Sequence, residues 1–308
     1  MDQKIIEVTG LSKKFGQVEA VRGIDFYVEA GKLFAFLGPN GAGKSTTIDM
    51  LCTLLRPDAG QAVIDGHLLG QEDDEIRRKI GVVFQDSVLD PLLTVRENLL
   101  VRARLYGTDR QEYEANVRLA IETAGVEPFL NRRYGKLSGG QRRCVKDIAR
   151  ALVHTPKILF LDEPTTGLDP QTKKSVWETI RTLQRAHGMT VFLTTHYMEE
   201  AAAADYITII DNGEIVAKGT PDDLREQYSS DSLRIRGADR DALQACLEEL
   251  GAAYTYKNGI YSIPLPDTMA AIRILNSAEP YIESFEVQHG TMDDVFINIT
   301  GKELRDHA

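Results

Sequence analysis

A glycine-rich segment, Gly38–Ser45 (GPNGAGKS), constrains the fold of this 308-residue chain more than any other feature. It fits the pattern G-x-x-x-x-G-K-[ST] and lies between an apolar run, Leu33–Leu37, and a helical pattern, Lys44–Leu54. Glycines let the backbone wrap closely around an anion, and the N-terminus of the following helix carries partial positive charge. The sequence therefore predicts a phosphate-binding loop between a buried strand and a helix.

The residues of this loop carry the predicted contacts to a nucleotide. Lys44 is expected to reach the β- and γ-phosphates, and Ser45 is expected to ligate Mg²⁺. The complete predicted set in this segment is Gly38, Asn40, Gly41, Gly43, Lys44, Ser45 and Thr46. A glycine-rich turn with a chance lysine is the alternative, but the order of strand, loop and helix disfavours it.

Two acids follow a second apolar run, Ile158–Leu161. A buried strand delivers Asp162 at its carboxyl end, where open α/β sheets bind their ligands. We expect Asp162 to hold Mg²⁺ through its water shell and Glu163 to polarise or deprotonate the attacking water. A core strand that ends in solvated acids is the competing interpretation, and the phosphate loop in the same chain makes it the weaker one.

Strand-like and helix-like patterns alternate over residues 1–220, which predicts an α/β fold with a largely parallel sheet and covering helices. The strand candidates Gly81–Phe84 and Val191–Thr194 are short and almost unbroken apolar runs, as in strands buried on both faces. The segment from about 88 to 145 is mainly helical in pattern, so we predict a helical subdomain inserted into the α/β core.

The pattern changes near residue 228. The stretch Gly219–Ser230 is polar, and we place the boundary there, with a first domain at 1–228 and an accessory domain at 229–308. Residues 232–288 show the order strand, helix, strand, strand, helix, strand, which matches a small α+β ferredoxin-like unit. A short terminal helix is expected at Met292–Ile299.

A second glycine-rich segment, Leu137–Gln141 (LSGGQ), opens a predicted helix. With the phosphate loop it resembles the signature motif of ABC ATPases, which are P-loop NTPases. The resemblance implies that Ser138 and Gly140 of one copy contact the γ-phosphate held by the other copy. One phosphate loop and one signature in a chain therefore imply a dimer, with a homodimer expected and a heterodimer left open.

Four further residues lie where this family has functional ones. Gln85 resembles the glutamine that senses Mg²⁺ and links hydrolysis to the permease contact, and His196 resembles the switch histidine on the γ-phosphate. Asp169 resembles the aspartate that reaches across the dimer. Phe15 takes the place of the aromatic residue, usually Tyr, that stacks on adenine, and it keeps the π-face that stacking needs.

The resemblance thus assigns roles over about residues 3–225. The implied catalytic residues are Glu163, His196 and Gln85, and the implied metal ligands are Ser45, Gln85 and Asp162. The implied nucleotide contacts outside the phosphate loop are Phe15, Ser138, Gly140 and Asp169. ATP and Mg²⁺ are the expected substrate and cofactor.

One departure from the family lies in the helix after the signature. Relatives usually have one residue fewer than the seven, Arg142–Ile148, that separate Gln141 from Ala149-Arg150 here. An extra residue rotates a helix by about 100°. A π-bulge near Cys144–Asp147 would absorb it, and otherwise the signature would be mis-aimed and activation across the dimer weakened.

The C-terminal segment 292–306 (MDDVFINITGKELRD) resembles the C-terminus of drug-resistance-type ABC exporter subunits, such as daunorubicin-resistance ATPases. Those subunits pair with a separate integral-membrane permease, and their relatives move drugs, lipids, antibiotics or glycans. The resemblance implies export through such a permease and leaves the cargo open. A packing role for this helix, with Val295, Phe296 and Ile299 buried, is compatible with it.

Composition restricts the compartment and the partners. The formal net charge of −10 argues against direct binding of nucleic acid, which needs clustered positive charge. No apolar stretch approaches the ~18–20 residues of a membrane span, and the N-terminus lacks a signal-peptide run. We expect a cytoplasmic protein that is peripheral on the inner face of the cell membrane through the permease. The cysteines Cys52, Cys144 and Cys246 lie far apart without metal-ligand spacing and suit a reducing compartment.

Two other functions stay open at this point. A soluble ABC ATPase acting on ribosomes or nucleic acid is the alternative, although such relatives usually carry two cassettes or long coiled coils. Residues 231–308 could also form a ligand-sensing module. A role in stabilising a dimer or docking a partner is favoured, because that region has no cluster of convergent polar residues.

Overall fold

The computed structural model describes residues 3–83, 89–106, 109–143 and 149–301. The chain divides into two compact units, Met1–Lys218 and Gly219–Ala308. Each has a hydrophobic core of its own.

The first unit contains ten strands and eight α-helices among its described residues. The strands are β1 Lys4–Phe15, β2 Val18–Glu29, β3 Leu33–Leu37, β4 Ala59–Ile64, β5 His67–Leu68, β6 Ile80–Val83, β7 Ile158–Asp162, β8 Thr190–Thr195, β9 Tyr206–Asp211 and β10 Glu214–Gly219, the last ending at the boundary. The helices are α1 Lys44–Leu51, α2 Asp73–Lys79, α3 Val95–Ala103, α4 Arg110–Thr123, α5 Gly139–Arg143, α6 Arg150–Leu152, α7 Pro170–His187 and α8 Met198–Ala201.

The central sheet has six strands in the order β10-β9-β3-β8-β7-β6. Strands β6 to β9 and β3 pair in parallel, and every residue of β3 is buried, as the unbroken apolar runs predict. Parallel strands bring their carboxyl ends to one edge of the sheet. The phosphate loop after β3, the acids at the end of β7 and His196 after β8 therefore emerge at the same edge. The predicted α/β fold is confirmed.

A second sheet, with the order β2-β1-β4-β5, is antiparallel. The sequence interpretation described only a largely parallel sheet and did not identify this layer. The signal was present in β2, where Ile24, Phe26 and Val28 alternate with exposed residues, the period of a half-buried strand. Phe26 packs on the central sheet, with its ring centroid 5.6 Å from that of Phe34 and 5.5 Å from that of Phe36.

The described elements between β6 and β7 are helices joined by turns and loops, where the sequence predicts the inserted subdomain. Helix α3 begins with a capping box in which Thr94 and Glu97 satisfy each other's backbone N–H groups. A β-bridge between Thr94 and Arg133, with further backbone hydrogen bonds on either side of it, ties the start of α3 to the segment before the signature. The π-bulge predicted near Cys144–Asp147 lies outside the described residues, so it stays a prediction.

The second unit has the order β-α-β-β-α-β, preceded and followed by a helix. Its elements are α9 Pro221–Tyr228, β11 Asp231–Gly237, α10 Arg240–Glu249, β12 Thr255–Lys257, β13 Ile260–Leu265, α11 Ala270–Ala278, β14 Ile282–Gln288 and α12 Met292–Thr300. The sheet order β12-β13-β11-β14, antiparallel throughout, is that of a ferredoxin-like fold. The α+β prediction is confirmed.

Helix α9 occupies the polar stretch that the sequence interpretation took as the domain boundary. It begins with a capping box formed by Thr220 and Asp223, and it packs against α12, where Asn298 Nδ2 donates to the carbonyl oxygen of Tyr228 at 2.8 Å. The second unit therefore starts at Gly219 and not at residue 229, because α9 makes its contacts with α12.

The described cysteines and helices bear on two further expectations. Cys52 is buried, and burial raises the pKa of its thiol well above the ordinary value, so the thiol is inert at neutral pH. Cys246 is a free, half-buried thiol, whereas Cys144 lies outside the described residues.

Across the described ranges, no helix has the length and apolar character needed to cross a bilayer.

Candidate nucleotide site

The loop between β3 and α1 contains two glycines, Gly38 and Gly43, at positions where a larger side chain does not fit. A Cβ on Gly38 would lie 2.3 Å from the carbonyl oxygen of Ile210. Gly43 has φ +108°, and a Cβ there would lie 2.4 Å from the carbonyl oxygen of Ala20. Both positions need glycine for space, and Gly43 also needs it for its backbone angle. The cradle between the central strand and the first helix is therefore fixed by close backbone packing.

Lys44, the first residue of α1, lies at the centre of this cradle. Its side chain is only 6% exposed, and its Nζ donates to the carbonyl oxygens of Gly38 at 2.7 Å and Pro39 at 3.1 Å. The Glu163 carboxylate lies 3.9 Å from the ammonium group. Burial lowers the pKa of Lys44, while Glu163 and Asp162 act in the opposite direction.

Asp162 at the end of β7 is held from two sides. Ser45 Oγ lies 3.3 Å from Asp162 Oδ2, and the buried hydroxyl of Thr194 donates to Asp162 Oδ1 at 2.5 Å. The strands fix this arrangement, because Asp162 on β7 is directly paired with Thr194 on β8. The hydroxyl of Ser45 and a carboxylate oxygen of Asp162 thus form a pair of oxygen donors of the kind that Mg²⁺ prefers.

Glu163 follows in a strained conformation, with φ +46°, which non-glycine residues rarely adopt. Its N–H donates to the carbonyl oxygen and to the Oγ1 of Thr194, at 3.2 and 3.1 Å. Its carboxylate oxygen Oε1 lies 3.1 Å from His196 Nδ1. The other oxygen, Oε2, accepts a hydrogen bond from Thr166 Oγ1 at 3.2 Å. The adjacent His196 ring is the largest cause that lowers the pKa of Glu163, and burial opposes it. The predicted base is thus a carboxylate at neutral pH.

Glu200 on α8 supports this site, although the sequence interpretation did not single it out. Its buried carboxylate accepts hydrogen bonds from Thr165 Oγ1 and, at 2.6 Å, from Thr195 Oγ1. Thr165 follows Glu163 by two residues, and Thr195 precedes His196. One buried side chain therefore ties together the two segments that carry the predicted base and the predicted switch histidine. The only sequence signal was its place four residues after His196.

The signature segment begins α5 with a reciprocal cap. The N–H of Ser138 donates to Gln141 Oε1 at 3.2 Å, and the N–H of Gln141 donates to Ser138 Oγ at 3.3 Å. Ser138 and Gly139 are exposed. Within the described part of the chain, no hydrogen bond joins Ser138 or Gly140 to the phosphate loop.

Gly140 lies against α7, the helix that follows Asp169. A Cβ on Gly140 would lie 2.9 Å from both Oγ1 and Cγ2 of Thr172. The same Thr172 caps α7 with Asp169, whose carboxylate accepts from the Thr172 N–H at 3.0 Å and from its hydroxyl at 2.6 Å. The structure therefore joins the signature and the Asp169 segment within one copy, a contact that motif spacing does not indicate.

The remaining predicted residues lie at the end of β1, in the loop and α1, or outside the described residues. Phe15 ends β1 with 51% of its surface exposed, and Lys13 Nζ lies 5.7 Å from its ring centroid. Asn40 and Gly41 are exposed, and Thr46 is half-buried in α1. Gln85 lies outside the described residues, so its place relative to Asp162 is not part of this geometry.

The assembled groups define a class of protein. A strand–loop–helix phosphate cradle with a buried lysine, an acidic pair at the end of the adjacent strand and an LSGGQ segment are the parts of an ABC ATPase. Residues 21–166 match the family described as ABC transporter, and residues 219–300 match the family described as ATP-binding protein DrrA1-3-like, C-terminal domain. The chain belongs to the ABC transporter ATP-binding proteins, and it is an ATPase of that family.

Relatives and structures agree with this assignment over most of the chain. The daunorubicin/doxorubicin resistance ATP-binding protein DrrA of Streptomyces peucetius is 39% identical, covering 99% of this chain and 95% of that protein. The Nod factor export ATP-binding protein I of Burkholderia lata is 38% identical, covering 98% of each. The dimeric post-hydrolysis structure of the ATP-binding cassette MJ0796 bound to ADP and Pi is 30% identical, with a TM-score of 0.62 and coverage of 70% of this chain and 98% of that one.

Proposed function

We propose that this protein is the ATP-hydrolysing subunit of an ABC exporter, and that two copies bind ATP and Mg²⁺ between them. The central support is the position of the Glu163 carboxylate, 3.1 Å from His196 Nδ1 and 3.9 Å from Lys44 Nζ. A carboxylate held between a histidine and the lysine of a phosphate cradle is placed to accept a proton from a water that attacks the terminal phosphate.

The residues around the loop fit a nucleoside triphosphate. Lys44 and the loop N–H groups would hold the phosphates, and the exposed face of Phe15 would stack on the adenine. Ser45 and Asp162, with Gln85, would hold Mg²⁺, and the oxygen donor set already present at Ser45 and Asp162 fits that ion. Bound there, Mg²⁺ would offset the negative charge of the phosphates.

Hydrolysis in this proposal needs the second copy. Ser138 and Gly140 of one copy would contact the γ-phosphate held by Lys44 of the other, with Asp169 reaching across between them. The exposed position of Ser138 at the start of α5 supports this, because its hydroxyl is accessible to another chain. Closure of the dimer around two nucleotides would supply the differential binding energy that changes the shape of a partner.

The partner in this proposal is a separate membrane permease that moves drugs, lipids or a similar cargo outward. The names of the similar proteins, which include drug resistance and Nod factor export, support export. The C-terminal end of α3 and the turn after it support a docking surface, since Val101 in the helix and Leu105 in the turn are 53% and 71% exposed. The permease would hold the protein at the inner face of the membrane.

The partner is tested by affinity purification from detergent-solubilised native membranes with tagged Glu163→Gln protein and ATP. A polytopic membrane protein in a stoichiometric amount is the expected companion. Lys44→Ala protein serves as the matched control, because it lacks the ammonium group that holds the phosphates and should recover less of the companion. Recovery of ribosomes or nucleic acid in its place would contradict the exporter assignment and favour a soluble ABC ATPase.

A further inference from the structure

The four-stranded sheet of the second unit has a long open edge at β14. This strand of seven residues pairs with β11 on one side, and among the described strands none pairs with its other side. An edge of this length presents a row of unpaired backbone N–H and C=O groups, which is a template for another strand. The other edge strand, β12, has only three residues.

Phe285 occupies a core position on this edge but is left uncovered. Its direct cross-strand neighbour on β11, Ile235, is fully buried on the side of the sheet that α10 and α11 cover. Residues at paired positions point to the same face of a sheet, so Phe285 points to the helix side as well. Its side chain is nevertheless 57% exposed. The apolar layer of the second unit therefore continues to the edge and is open there.

A groove of about 560 Å³ lies beside Phe285, between α11 and β14. Leu275 and Ile282 form its apolar lining, and Asn276 and Glu279 line it from α11 and the turn that follows. A free strand edge beside an apolar groove offers backbone hydrogen bonds and side-chain burial to the same occupant.

We propose that this edge pairs with the same edge of a second copy. Strand β14 of one copy lies antiparallel to β14 of the other, and the two four-stranded sheets become one continuous sheet. Phe285 of each copy then covers Phe285 of the other above the groove. This interface belongs to the second unit alone, and it is separate from the nucleotide-dependent closure proposed for the first unit.

The side chains of β14 favour one register. In an antiparallel pair related by a two-fold axis, one central residue faces the same residue of the other copy. A residue on one side of the centre then faces the residue equally far on the other side in the other copy. A pair centred on Glu283 or Glu286 would oppose two like charges, which destabilises a sheet. A pair centred on Ser284 would place Phe285 opposite Glu283. Of these pairs, only the one centred on Phe285 brings the Phe285 rings of the two copies opposite each other. In it, Glu286 of one copy faces Ser284 of the other, and Glu283 faces Val287.

The self-complementary edge favours a second copy over an unrelated partner. With Phe285 at the centre, each copy contributes the same surface to the interface, as an isologous interface requires. Glu286 does not oppose this, because Arg234 on β11 lies 3.8 Å from its carboxylate and offsets its charge. Cassettes of this family dimerise, as in the dimeric MJ0796 structure, so two accessory units share one assembly and meet at high effective concentration.

The test is the association of the full-length chain without nucleotide, measured by sedimentation velocity over a range of concentrations. We expect wild-type protein to dimerise, and Phe285→Asp to weaken association by at least about tenfold, since it places two acids face to face. Ile297→Asp is the matched control, because Ile297 is an exposed apolar residue on α12. A monomeric wild-type protein, or equal association of the Phe285→Asp variant, would overturn the proposal. Failure of ATP-driven closure would leave this dimer intact.

The register has a separate test that does not depend on the loss of Phe285. Chains carrying Ser284→Cys and chains carrying Glu286→Cys are oxidised alone and as a mixture, with Cys246 replaced by Ser in both. Position 284 of one copy faces position 286 of the other, so the mixture should yield several-fold more cross-linked dimer than either variant alone. Equal yields in all three samples would contradict the pairing.

Discussion

The Thr194 hydroxyl donates to Asp162 Oδ1 at 2.5 Å and, through the same oxygen, accepts the backbone N–H of Glu163 at 3.1 Å. One buried side chain on β8 thus fixes both acids at the end of β7. Its position follows from the parallel pairing that places Thr194 directly beside Asp162. The Asp162 carboxylate and the backbone of Glu163 are therefore held by a residue outside the recognised motifs.

Replacement of Thr194 by Val keeps the shape of the side chain but removes the hydroxyl. Because a hydrogen bond to a charged group contributes about 1.5–3 kcal/mol, kcat should fall by about tenfold or more and Mg²⁺ should be needed at higher concentration. Steady-state ATPase assays with Mg²⁺ titration measure both effects. Thr194→Ser retains the hydroxyl and should keep most of the activity. Equal activity of the Val and Ser variants would show that this contact has no role.

Glu200 gives a second prediction, about stability and activity together. Glu200→Ala leaves the buried hydroxyls of Thr165 and Thr195 without their acceptor, so the free energy of unfolding should fall by about 2–4 kcal/mol. Turnover should also fall, because the segments bearing Glu163 and His196 lose their common anchor. Glu200→Gln keeps one acceptor oxygen, so its stability and turnover should lie between those of Glu200→Ala and those of the wild type. Urea unfolding and ATPase assays on the same samples check this, and an Ala variant as stable as the wild type would contradict it.

Gly140 and Thr172 give a test of the contact between the signature and α7. A Cβ on Gly140 would lie 2.9 Å from the ends of the Thr172 side chain, so Gly140→Ala should cost about 1–3 kcal/mol of stability through overpacking. Thr172→Ala removes both crowded atoms, and the double variant should recover part of that loss. A double-mutant cycle of thermal unfolding measures the coupling. If the two changes are strictly additive, the contact is absent in solution.

His154 makes stability depend on pH. Its Nε2 lies 2.8 Å from the carbonyl oxygen of Ile80 and its ring stacks on Tyr106, with the centroids 4.1 Å apart. Burial lowers the pKa of His154 from an ordinary value of 6.5 to about 4. The hydrogen bond with the Ile80 carbonyl raises this pKa, whereas the nearby charges of Arg102 and Arg150 lower it further. Between pH 6.5 and pH 4 the unfolded chain therefore binds the proton that the folded chain excludes.

The free energy of unfolding should consequently fall as the pH is lowered through this range, by up to about 3 kcal/mol from this residue. His154→Gln keeps a donor for the Ile80 carbonyl and has no titration, so its stability should fall less over the same range. Urea unfolding at pH 7 and pH 5 measures the difference. Parallel losses in the two proteins would exclude His154 as the cause.

The motifs predicted the α/β and ferredoxin-like folds well, because each has a local and specific pattern. Leu33–Leu37 is a strand over the predicted residues, since an unbroken apolar run before a phosphate loop has few other uses. The antiparallel sheet was not identified, because the long strands β1 and β2 contain glycines and charged residues that weaken their alternation. Helix α9 was interpreted as a boundary, because its polar composition hides the contact it makes with α12.

The site was predictable only where residues belong to a motif. Lys44, Ser45, Asp162 and Glu163 were identified from strand ends and loop chemistry, and the structure brings them together. Thr194 and Glu200 were not identified, because a threonine in a buried strand and an acid in a short helix have no pattern of their own. Their contacts arise from strand pairing and helix packing, which sequence spacing does not specify. The predicted role of Gln85 stays a prediction.

The central claim, that Glu163 is the base in a site completed by a second copy, is tested most directly with Glu163→Gln. The measurement combines ATP turnover with ATP-dependent dimerisation in a Phe285→Asp background, so that the β14 edge does not hold the copies together. We predict that kcat falls at least about 10²-fold while ATP still drives dimerisation, and that Lys44→Ala loses both. Normal turnover in the Glu163→Gln protein, or no ATP-dependent dimer, would contradict the account.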